Sequence, residues 1–140
     1  MFRILPPMTL EQVQERTRSQ GNYAQLFVYR LPKKNHDSLV RLQQKLTAIH
    51  RKHGTLYMEF YQLHSNEAFQ GLTSIGKTVS ARDDEEVWIE LDHYKDRNHR
   101  DSVVDSANQD AEAEPLYGEL MGLVSQGYTM IMGEFKPLKI

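Results

Sequence analysis

Cysteine is missing from all 140 residues, so disulfides, thiolate nucleophiles and thiolate metal sites are excluded, and a reducing, cytoplasmic setting is expected. Charge of one sign is also lacking. A formal net charge of −2 gives none of the basic field that non-specific phosphate binding requires, so nucleic acid is not an expected partner. No apolar run is long enough to span a membrane, and Pro6 and Pro7 interrupt the first apolar residues before they could form a signal segment. What remains is a chain of about one domain's length, enough to bury a core without a metal or disulfide staple.

The pattern of elements is readable along the chain. Thr9 and Gln12 have capping-box spacing at the start of a short helix carrying Leu10, Val13 and Thr17, within an N-terminal extension over residues 1–22. A domain over residues 23–140 follows. Tyr23 to Leu31 reads as a strand stopped by Pro32, and Asn35 as the cap of a helix with Leu39, Leu42, Leu46 and Ile49 at helical spacing up to Gly54. Burying those four side chains would contribute roughly 6–12 kcal/mol before chain entropy is subtracted. Leu56 to Leu63 and Val87 to Tyr94 are two further strands, Asp96 caps a second helix, Pro115 opens a short apolar segment, and Tyr128 to Phe135 is the last strand. The order strand, helix, strand, strand, helix, strand predicts an α+β, ferredoxin-like βαββαβ subunit with an antiparallel four-stranded sheet.

Alternation splits each strand into two sets. One is aliphatic: Leu26, Val28, Leu56, Met58, Phe60, Val87, Ile89, Leu91, Ile131 and Phe135. The expectation is that this set faces the helices. The other holds Phe27, Tyr29, Tyr57, Glu59, Tyr61, Trp88, Glu90, Asp92, Tyr94, Met130, Met132 and Glu134, and is expected on the uncovered face. A face that large and aromatic calls for a partner, so a twofold homodimer is expected, burying about 800 Å² per subunit. Tyr29, Tyr57, Glu59, Tyr61, Trp88, Glu90, Asp92, Met130 and Met132 would then line any small-molecule pocket at the interface.

Several stretches together resemble one family: Val28 to Asn35, His53 to Leu56, Thr73 to Ile75, Glu85 to Trp88, His99 to Asp101, Ala107 to Gln109 and Met130 to Phe135. Over Leu26 to Leu138 the chain is similar to the uncharacterised YbaA-like proteins of the dimeric α/β-barrel superfamily. The resemblance implies a ferredoxin-like subunit paired sheet to sheet, and carries no activity with it. The chain departs from that family in its N-terminal extension, in a longer stretch between Arg100 and Pro115, and in lacking a Glu-Cys-Trp pattern on the second strand. Related superfamily members include cofactor-independent oxygenases and lyases, which keeps open an enzyme of oxygenase, isomerase or lyase type in which Glu59, Glu90 or a histidine moves a proton.

Gly71 to Thr78 matches the phosphate-binding loop letter for letter, but it neither follows a strand directly nor opens an apolar-periodic helix, so nucleotide binding is not expected from it. His50 and His53 have metal-pair spacing without a third ligand. No metal or other cofactor is expected. His36, His93 and His99 flank element ends and would border a dimer cavity.

Overall fold

The chain is described here by a computed structural model covering residues 7–12, 21–127 and 130–140. Thr9 and Gln12 form the expected reciprocal cap: the Thr9 amide donates to Gln12 Oε1 at 2.9 Å and the Gln12 amide to Thr9 Oγ1 at 3.1 Å. Val13 and Thr17 of that expected helix lie outside the described residues, as do Tyr128 and Thr129 at the start of the last expected strand.

Aromatic and β-branched residues build strand β1, Tyr23–Pro32, and helix α1 runs His36–Lys52 after a single 3₁₀ turn. Asn35 stands at the N-cap position without capping; its amide group instead donates to the Leu123 carbonyl at 3.0 Å, tying the start of α1 to a later helix. Leu39, Leu42, Leu46 and Ile49 are all buried. Gly54, at φ 116°, turns the chain back toward β2, Tyr57–Gln62, in a conformation that favours glycine. A one-turn helix α2, Ile75–Thr78, interrupts the following loop, and β3, Glu85–Tyr94, returns beside β1. Asp96 caps α3, Arg97–Asn108, accepting from the His99 amide at 2.7 Å. Helix α4, Ala113–Leu123, and strand β4, Met130–Phe135, complete the order. Asp96→Ala is expected to cost about 1 kcal/mol, measured by urea denaturation, because it leaves that amide without its acceptor.

The sheet order is β2-β3-β1-β4 with every neighbouring pair antiparallel, which is the ferredoxin-like arrangement. Its faces reverse the expectation. Tyr29, Trp88 and Tyr94 are 1%, 4% and 0% exposed, and the main core cluster joins Tyr29 and Trp88 to Leu39, Leu42 and Leu46 of α1. The aromatic and acidic set of β1, β3 and β4 therefore lies under the helices. The aliphatic residues Leu26, Val28, Ile89, Leu91, Ile131 and Phe135 occupy the uncovered face. Strand β2 belongs to the opposite sets: Tyr57 pairs with His93 and Tyr61 with Ile89, so Tyr57, Glu59 and Tyr61 share the aliphatic face, while Met58 and Phe60 lie on the helix side. Alternation separates two faces but does not say which one the helices cover. The uncovered face thus carries Tyr57, Glu59, Tyr61 and His93 beside the apolar residues of β1, β3 and β4.

Candidate functional site

Beneath α1, α3 and α4 the helix-side face of the sheet lines a half-open cavity of about 320 Å³, whose apolar surface comes from side chains including Phe27, Leu46, Met58, Leu120 and Met130. Strand alternation places Glu90 and Asp92 two residues apart on its floor, 8% and 3% exposed. Gln43 enters from α1, where it sits in the same stripe as Leu39 and Leu46. Its Nε2 donates to Tyr29 Oη at 3.0 Å and to Glu90 Oε1 at 3.3 Å. Facing the floor are His50 of α1 and Tyr117 of α4, with His50 Nε2 and Tyr117 Oη 2.8 Å apart.

The electrostatics follow from burial. Loss of water raises the Glu90 carboxyl well above the ordinary range, and the adjacent Asp92 charge raises it further. Burial pushes Asp92 up to about 6, opposed by its hydrogen bond with Glu90. Burial thus favours the protonated form of both carboxyls, and the neighbouring charge adds to this at Glu90. Burial also raises the hydroxyls of Tyr29, Tyr94 and Tyr117 and lowers His50, whose imidazole is neutral. Arg100 borders the cavity, but its guanidinium is engaged by Asp101 at 2.9 Å, Gln25 at 3.4 Å and Glu134 at 3.7 Å. Among the described residues, Asp92 Oδ1, Tyr94 Oη and His50 Nδ1 are buried polar atoms of this cavity with no hydrogen-bond partner.

A second hollow of about 450 Å³ opens between α1 and β2, walled by Val40, Phe60, Tyr61 and Trp88, and meets the first at Gln43 and Met58. Glu86 organises its rim, accepting from Trp88 Nε1 at 2.9 Å and lying 2.7 Å from His36 Nδ1.

The expected pocket residues are thus divided. Tyr29, Glu90, Asp92 and Met130 line the inner cavity, whereas Trp88 and Tyr61 line the outer hollow. Met132 lies on the helix side of edge strand β4 but lines neither. Tyr57 and Glu59 are on the uncovered face with His93, which stacks on Tyr57 at 3.9 Å and meets Glu59 Oε1 at 2.7 Å. Both hollows lie on the helix side of the sheet. His99 Nδ1 accepts from the Lys95 amide, which closes the turn into α3. Gln43, His50, Arg100 and Tyr117 were not expected. Gln43 had a signal, a polar residue within the apolar stripe of α1; Tyr117 had none beyond an apolar segment.

His50 and His53 engage different partners: His53 Nε2 contacts Asp110 Oδ2 at 2.7 Å while His50 Nε2 lies 2.8 Å from Tyr117 Oη. Among the described residues, no three histidine, aspartate or glutamate side chains gather as metal ligands. Within the phosphate-loop match the Gly76 amide donates to Asn66 Oδ1 at 3.0 Å and the Lys77 amide to Ser74 Oγ at 3.2 Å. No helix of the described residues is long and apolar enough to cross a membrane.

The sequence pattern described as a protein of unknown function, DUF1428, matches residues 22–121. The chain belongs to the DUF1428 family. Its match runs from the start of β1 into α4, so the DUF1428 region contains Gln43, His50, Glu90, Asp92, Arg100 and Tyr117 but not β4. No curated protein matches the chain. Among solved structures, Rv0793 from Mycobacterium tuberculosis is similar at 13% identity and TM-score 0.49, covering 84% of this chain and 96% of its own. A point mutant of SnoaB, a cofactor-independent oxygenase from Streptomyces nogalater, is similar at 14% identity and TM-score 0.43, covering 84% and 95%.

Proposed function

We propose that this DUF1428 protein is a homodimer joined through its uncovered aliphatic face, and that each subunit binds one small, mostly apolar molecule in the inner cavity. The observation that carries the binding reading is Asp92 Oδ1, a buried acceptor without a partner in a cavity whose exposed lining is mostly apolar. Leaving such an atom unpaired costs about 1–3 kcal/mol, which a ligand hydroxyl or amine donor would offset. An apolar row on the uncovered face supports the dimer: Tyr61, Ile89, Val28 and Ile131 stand side by side across all four strands.

2-Naphthol, an apolar molecule with one hydroxyl donor, is the probe. Saturation-transfer NMR and native mass spectrometry are expected to show one molecule per subunit, with affinity reduced at least 10-fold in Asp92→Leu. No binding, or equal binding by the variant, contradicts the reading. A second reading, an enzyme of oxygenase, isomerase or lyase type that needs no cofactor, is favoured by the adjacent carboxyls of Glu90 and Asp92, both raised by burial. It requires turnover that disappears in Glu90→Gln with the fold intact.

A further inference from the structure

The cavity holds two proton-handling pairs on opposite walls: Glu90 and Asp92 on the sheet, His50 and Tyr117 on the helices. Both carboxylates act electrostatically on the Tyr117 hydroxyl, as groups placed across a chamber of this size should. The nearest cation, Arg100, is already engaged by Asp101 and Glu134.

The unpaired nitrogen of His50 sets the direction of its bond. His50 Nδ1 is buried without a partner among the described residues, and an orphaned N–H is rarer in proteins than an orphaned acceptor. The favoured neutral tautomer therefore carries its proton on Nε2 and donates to the Tyr117 oxygen. That leaves the Tyr117 proton free to point into the cavity. The cavity thus carries an acceptor-only carboxylate oxygen on its sheet wall and a hydroxyl donor on its helix wall.

We infer that this chamber moves a proton between two carbons of a small β,γ-unsaturated ketone, with Asp92 as base, Glu90 as its proton-sharing neighbour and Tyr117 as donor to the carbonyl oxygen. The inference rests on the reading of the cavity as a small-molecule site and adds a reaction to it. Asp92 takes a proton from the carbon between the carbonyl and the alkene. The C–H electron pair becomes a new C=C bond as the carbonyl π pair moves onto oxygen, where the Tyr117 hydroxyl stabilises the dienolate. Asp92 then returns the proton to the γ-carbon, the carbonyl re-forms, and the double bond ends in conjugation. Nothing is oxidised or reduced, and the protein is unchanged. Glu90 keeps its proton and, hydrogen-bonded to Asp92, limits the charge that must be buried. His50 is a positioning residue acting through Tyr117. The titratable groups around Asp92 are Glu90, Tyr29, Tyr94, Tyr117, His50 and Arg100.

The test follows cyclohex-3-en-1-one in deuterated buffer by proton NMR, reading both conversion to the conjugated ketone and deuterium entry at the α-carbon, with saturation transfer reporting binding. The full-length protein is expected to accelerate both at least 100-fold over buffer, with an ionisation near pH 6 on the rising side of the rate profile. Asp92→Asn should lose at least 100-fold in kcat, and Tyr117→Phe 10-fold or more with KM little changed. His50→Gln should slow the rate and shift the profile without abolishing binding. A bound ketone that neither isomerises nor exchanges overturns the proton-transfer inference and leaves the cavity reading intact. The inference also fails alone if 2-naphthol binds and the ketone does not, whereas failure of both to bind overturns both readings.

Discussion

Asp92→Asn is expected to stabilise the protein at pH 7.5 by on the order of 3 kcal/mol and to flatten its stability between pH 4 and 7. In the folded chain the Asp92 carboxyl is pushed up to about 6 by burial, whereas unfolding returns it to the ordinary carboxylate range. Between those two values the folded state holds a proton that the unfolded state has released. Stability from this group is therefore greatest at the acid end and is lost as pH rises through about 6. A shift of about two units corresponds to roughly 3 kcal/mol, and Glu90 acts in the same direction. The neutral amide keeps the shape of the side chain and removes the charge. Asp110 has the opposite sign: His53 and Lys52 hold its carboxyl well below the ordinary range, so its contribution is lost only as pH falls. Urea denaturation of both proteins at pH 5 and 7.5, at one fixed subunit concentration, separates the effects. A variant less stable than the wild type at pH 7.5 would mean that the Asp92 charge is not a cost in the fold.

Ile89→Glu is expected to convert a dimer to a monomer, raising the dissociation constant at least 100-fold, or about 3 kcal/mol. Ile89 lies in the central row of the uncovered face, with Val28 on one side and Tyr61 on the other. In a twofold interface one substitution introduces two like charges into apolar surface, with no partner to offset their desolvation. On a free subunit the same carboxylate would remain hydrated, so the far-ultraviolet circular dichroism should not change. Sedimentation velocity distinguishes the outcomes. A wild-type monomer, or a variant that stays dimeric, would remove the aliphatic face as the contact between copies.

Both expectations depend on which sheet face the helices cover, and that was the part of the fold least legible in the sequence. The element order, the α1 stripe from Leu39 to Ile49, the Asp96 cap and the Thr9–Gln12 box could all be read because each depends on local spacing. Alternation also grouped Tyr29, Trp88, Glu90 and Asp92 correctly with one another. It is symmetric, however, and hydrophobicity alone favoured the aliphatic set for the core. In the structure, Gln43 of α1 donates to Tyr29 and Glu90, so these two polar groups of the acidic face keep a partner once the helices cover them. Strand β2 could not be assigned without its register, because a shift of one residue exchanges Tyr57 and Glu59 with Met58 and Phe60. The cavity was only half legible for the same reason: its floor comes from alternation, while His50 and Tyr117 are brought together by the packing of α1 against α4.

The most direct measurement is carbon-detected NMR titration of the Glu90 and Asp92 carboxyls in uniformly ¹³C-labelled protein, assigned with Glu90→Gln and Asp92→Asn. The expected result is a coupled pair in which Asp92 titrates near 6 and Glu90 well above the ordinary range, both moving when 2-naphthol is added. Two independent titrations near 4, insensitive to the probe, would show solvated carboxylates and contradict a buried, proton-sharing site beneath the helices.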